Sequence, residues 1–194
     1  MKNLFFFLLL PLLALSCKGV EQYRAGIEEL SGKWDTTTKS LTDFSGMVST
    51  DMSNYTKALA AMKLDEATTK KLKPEQVQSW EAAQKIATDA LSQYVPLQKT
   101  ISDYIKTWTE KTKDVNDLKE GLAAGKLEGD VTAKIAELNT MVSGGEENLK
   151  AWIASYATIK NGVARALTNV QKMMTSYSDP AAAAPTLKPT GVKK

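Results

Sequence analysis

Cys17 is the only thiol in the 194-residue chain, and with no second cysteine it cannot close an internal disulfide. Its position gives that lone sulfur a setting. Met1, Lys2 and Asn3 are followed by an apolar block from Leu4 to Leu15, interrupted only by Pro11, and then by Ser16 and Cys17. One positive charge, a short apolar core and a small residue before the cysteine form the pattern of an export signal. The core of about twelve residues lies inside the ~7–15 of a signal h-region and falls short of the ~20 that a spanning helix needs. At the other end, Gly191-Val192-Lys193-Lys194 brings a lysine ammonium and a carboxylate to one tip.

The remaining chemistry is defined by what is missing. There is no histidine, which removes Ser-His-Asp and Cys-His nucleophilic chemistry and the side chain best suited to proton transfer near neutral pH. With the sole cysteine at the signal boundary and no acidic run of calcium-loop spacing, no metal site and no cofactor are expected. Gly144-Gly145 lacks the preceding strand and the Lys-Ser/Thr of a phosphate loop. No catalytic residue is assigned, and the chain is read as a non-enzyme. Acidic and basic residues are interleaved and the formal charge is only +3, so the electrostatic footprint of a nucleic-acid binder is absent.

Ala14-Leu15-Ser16-Cys17 resembles the lipobox of bacterial lipoproteins, in the looser form of spirochaete and Bacteroidetes-type members, since leucine is more usual where Ala14 stands. The resemblance implies that the chain is cut before Cys17, that a diacylglyceryl group joins its sulfur, and that the new amino group is acylated, with palmitate-type chains. Each buried methylene contributes about 0.8 kcal/mol, so two or three chains hold a protein on a membrane almost permanently. Lys18 is not the aspartate associated with inner-membrane retention in enteric bacteria. The expected location is therefore the cell envelope, lipid-anchored at the outer membrane, facing either the periplasm or the outside.

The residues that follow must be arranged by helices. Apolar side chains recur at Val20, Tyr23, Ile27, Leu30, Trp34, Leu41, Phe44, Val48, Tyr55 and Met62, with Thr37, Asp51 and Ala58 as weak points of the same stripe. Lys63 to Lys73 breaks the pattern, and Pro74-Glu75 makes a good first turn for a second helix. Its stripe runs Val77, Trp80, Ala87, Leu91, Tyr94, Ile101, Ile105, Trp108, Val115, Leu118 and Leu122, with Pro96 inside it as a kink or break. Gly125 should end it and Asp130 should cap the third. That third stripe is Val131, Ile135, Leu138, Val142, Leu149, Trp152, Tyr156, Ile159, Val163, Val170 and Met173, with Gly144-Gly145 as an expected bend.

These patterns predict an all-α fold: an elongated, coiled-coil-like, antiparallel three-helix bundle, or four helices if the second is broken at Pro96. Residues 1–16 form the signal, 17–177 the bundle and 178–194 a disordered Pro/Ala-rich tail.

Two sets of residues are candidates for contact with partners. Lys193 and Lys194 resemble, in position, the C-terminal lysine that kringle modules of plasminogen capture. They also resemble the last residue of Braun-type murein lipoprotein, whose side-chain amine is joined to peptidoglycan. The alternative is that they solubilise the end of the chain. Trp80, Trp108 and Trp152, with Trp34, fall on inward stripes, where they either line an apolar pocket between helices or serve as ordinary core. The functional expectation is a membrane-anchored envelope or surface lipoprotein acting as a non-enzymatic binding or structural module toward a host protein or peptidoglycan. The alternative is a carrier or sensor for a lipid or other apolar ligand.

Overall fold

A computed structural model describes residues 18–178, and every regular element among them is helical: α1 (Lys18–Glu21), α2 (Arg24–Ala61), α3 (Glu66–Thr69), α4 (Pro74–Ser92), α5 (Tyr94–Ala123) and α6 (Val131–Ser178). The long helices pack against one another as a helical bundle. The chain divides into two compact units. The first takes residues up to Met47 together with Gln98–Ala154, and the second takes Val48–Leu97 together with the chain from Ser155 onward.

Helix formation follows the apolar spacing. In α1 and α2, Val20, Ile27, Trp34, Leu41 and Val48 are buried at intervals of seven, with Leu30, Thr37 and Phe44 three residues after Ile27, Trp34 and Leu41. This is the two-position seam of a heptad pattern. In the second helical run Ala87, Tyr94, Ile101, Trp108, Val115 and Leu122 are buried at the same interval. The expected interruption near Pro96 falls at Gln93, three residues earlier. Proline has no N–H to give Ser92, and its ring crowds that carbonyl. The Gln93 amide instead bonds Ala90 at 3.3 Å, a tightened turn. Gln93 keeps helical angles (φ −65°, ψ −18°), so the heptad spacing crosses the interruption unchanged.

The connections are built from local caps. Asp65 accepts the Thr68 amide at 2.7 Å and starts α3, while Pro74 opens α4 and the Gln76 side chain accepts the Lys73 amide at 2.9 Å. After α5, Gly125 adopts φ +69°, a conformation that only glycine takes without strain. Asp130 then accepts the Ala133 amide at 2.9 Å to begin α6.

α6 runs without a break from Val131 to Ser178, so Gly144-Gly145 does not interrupt it. Gly145 sits on the inward stripe, and a Cβ there would lie 3.0 Å from Cζ3 of Trp108 and 3.2 Å from Cγ2 of Thr37. The missing side chain makes room for an indole, and the packing gained outweighs the ~1 kcal/mol helix cost of a glycine.

Candidate functional site

In the first unit the tryptophans form a closed arrangement. Trp34 and Trp108 stack with ring centroids 3.9 Å apart and planes 18° from parallel. The Trp34 indole donates to Thr112 Oγ1 at 3.1 Å, and the Trp108 indole donates to Thr38 Oγ1 at 2.7 Å. Each threonine is four residues beyond the other tryptophan and donates to that tryptophan's carbonyl, Thr38 to Trp34 and Thr112 to Trp108. Two buried indoles thus reach full hydrogen bonding without water. Tyr104 lies against Trp108 and edge-on to Trp152, 5.5 Å between centroids in the latter pair, and its hydroxyl donates to the Met141 carbonyl at 3.2 Å. Trp108 and Trp152 are therefore joined through Tyr104 in packed core, and Trp80 belongs to the other unit.

The second unit holds two features. One is a polar cluster on the inward stripes. Asp51 accepts from the Tyr156 hydroxyl at 2.5 Å and pairs with the Lys160 ammonium at 2.7 Å, and Lys160 also donates to the Tyr156 oxygen at 3.1 Å. The hydrogen bond from Lys160 holds the Asp51 carboxyl below its ordinary range, with Tyr156 adding to it. Burial pushes the Tyr156 phenol up, reinforced by its bond to Asp51, and the Asp51 bond pushes Lys160 up. Every shift is away from neutrality, so this is a fixed ion pair with no proton poised for transfer near pH 7. Tyr94 lies beside the cluster, its ring centroid 6.2 Å from those of both Tyr55 and Tyr156. It is wholly buried, its hydroxyl has no hydrogen-bond partner among the described residues, and burial drives its ionisation far above the ordinary range.

The other feature is a groove of about 630 Å³ between the end of α2, the α3 segment and α4, with Leu59, Leu64, Leu72, Val77, Trp80 and Leu91 on its walls. Its geometry is fixed by Gln84, whose amide donates to the Met62 carbonyl at 2.8 Å and ties α4 to the end of α2. The volume lies within the ~300–1,000 Å³ of small-molecule sites, and Thr56, Lys63, Thr69, Glu81, Gln84 and Thr88 add polar groups to its lining.

No family model, curated protein or solved structure matches this chain.

Of the residues singled out in the sequence, Cys17, Lys193 and Lys194 lie outside the described residues. Trp80 borders the groove of the second unit, while Trp108 and Trp152 belong to the packed core of the first. Leu64 and Leu72 were hidden in a segment whose only sequence signal was its lack of period, although two leucines in so polar a stretch mark a buried side. Among the described residues no group of metal-ligating side chains comes together, and no helix is long and apolar enough to cross a membrane.

Proposed function

We propose that this chain is a lipid-anchored bacterial envelope protein, held at the membrane through Cys17, whose helical bundle serves as a non-enzymatic binding or structural module. The observation that carries the reading is an adjacency. An apolar block of signal length and a small residue run directly into Cys17, the chain's one thiol, and the heptad pattern of the bundle opens three residues later at Val20. A sixteen-residue leader that met the bundle without a cysteine would be an ordinary signal; a cysteine at the junction is where lipid attachment would place the anchor. Two or three acyl chains there would hold the bundle on the bilayer without a spanning helix.

Partition between detergent and water tests this. The full chain, expressed in a bacterium that processes lipoproteins, is expected in the detergent phase, and the Cys17→Ser chain made without residues 1–16 in the aqueous phase. Equal partition of the two would overturn the reading. On this proposal Lys193 and Lys194 are the contact for a lysine-capturing host protein or for peptidoglycan, and plasminogen binding unchanged by their removal would exclude the first of these.

A second reading, a carrier or sensor for an apolar ligand, is favoured by the Trp80 groove, whose apolar walls have a volume suited to one small ligand.

A further inference from the structure

The Trp80 groove can be read for the kind of ligand it would take. Filled at about 30 Å³ per heavy atom, close to the volume of a water molecule in the liquid, a space of 630 Å³ matches the size of one long alkyl chain. Its walls offer aliphatic side chains and one half-buried indole, and the hydroxyls of Thr56, Thr69 and Thr88 each donate to the carbonyl four residues earlier, which suits a flexible hydrocarbon. The one wall amide that could have anchored a polar ligand, that of Gln84, is committed to the Met62 carbonyl.

The charged residues of the lining are Lys63 and Glu81, both exposed. Neither side chain has an ion pair or hydrogen bond among the described residues. Their charges sum to zero. A head group that is itself zwitterionic complements such a pair, whereas a purely anionic head meets Lys63 but is repelled by Glu81. We propose that the groove binds a single-chain zwitterionic lipid of the lysophospholipid class, its acyl chain against Trp80, Leu59 and Leu72, its phosphate at Lys63 and its ammonium at Glu81. This deepens the carrier reading and is independent of the Cys17 anchor, since loss of groove binding would leave detergent partition of the chain unchanged.

Calorimetric titration of the mature chain, residues 17–194 carrying Cys17→Ser, with 16-carbon lysophosphatidylcholine below its micelle concentration, tests the proposal. One saturable site is expected, with a blue shift of indole emission. Trp80 is the one tryptophan of the second unit, so Trp80→Phe should abolish the shift while calorimetry still detects binding. Lys63→Glu, an exposed change that leaves the fold intact, should weaken binding about tenfold, and palmitate should bind about tenfold more weakly than the lysolipid. Absence of saturable binding would overturn the proposal. So would palmitate binding as tightly as the lysolipid, indifference to Lys63→Glu, or binding that appears only when residues 179–194 are deleted, which would make the chain's own terminus the occupant.

Discussion

Thr37 in the first unit and Asp51 in the second occupy equivalent positions on the inward stripe of α2, two heptads apart. The surroundings differ. Around Thr37 the bulk of Trp108 is offset by the absence of a side chain at Gly145, and both stacked indoles find hydroxyl acceptors. Around Asp51 three tyrosines crowd together, the carboxylate is held by Tyr156 and Lys160, and the Tyr94 hydroxyl is left without a partner. The first layer is closed by steric fit and paired polar atoms. The second relies on an ion pair at the edge of solvent, since the Lys160 side chain remains 45% exposed. A core can thus admit polar residues by satisfying each one or by leaving part of the cost in place, and the two choices predict different responses to substitution.

Removing the stack should have the largest effect. Trp108→Ala opens a cavity and strands the Trp34 ring, with an expected loss of about 3–5 kcal/mol in denaturant unfolding. Thr38→Val keeps the shape and deprives the buried Trp108 indole of its acceptor, giving the first unit an orphan of the kind found at Tyr94. It should cost about 1–3 kcal/mol, and hydrogen exchange should locate the weakening in the first unit. Asp51→Asn removes the charge that Lys160 and Tyr156 serve, with an expected cost of about 1 kcal/mol near neutral pH, since solvent already screens the half-exposed lysine.

The same pair sets a pH dependence. Asp51 is held below its ordinary value, so its contribution is complete above about pH 4 and is lost as pH falls further. Lys160 is held above its ordinary value, so its contribution is complete below about pH 10 and is lost as pH rises beyond that. Unfolding measured across pH should show both limbs in the native chain and should lose the Asp51 part of the acid limb in Asp51→Asn. Gly145→Ala gains helix propensity but forces a methyl group against Trp108 and Thr37, for a net loss of about 1 kcal/mol. The smallest effect has the opposite sign. Tyr94→Phe removes the unpaired hydroxyl and should raise stability by up to about 1 kcal/mol. An unchanged or lowered stability would show that the two layers are equally satisfied.

The helices were legible because their period is a property of the sequence alone. The stripes through Ile27, Trp108 and Val163 name residues that are buried, and Pro74, Gly125 and Asp130 mark ends where the backbone chemistry requires them. Gly145 was legible only as a weak point of its helix because propensity is local, whereas the indole it accommodates comes from a residue 37 positions away, beyond any local pattern. Thr37 and Asp51 were visible as weak points of a stripe, but not what they bond. The reciprocal indole pairing did leave a trace: a threonine stands four residues after both Trp34 and Trp108. For the candidate site, Trp80 was legible as an inward residue, while the groove depended on Leu64 and Leu72 in a non-periodic segment whose path only tertiary packing defines. Cys17 remains legible from the sequence alone, through an apolar block of signal length and the small residue before it.

The central claim concerns that cysteine, and mass spectrometry of the mature chain's N-terminal peptide tests it most directly. The account predicts a peptide beginning at Cys17, with a diacylglyceryl thioether on its sulfur and the mass of a further acyl chain on its amino group. A chain that still carries residues 1–16, or one that begins elsewhere with Cys17 unmodified, would contradict it.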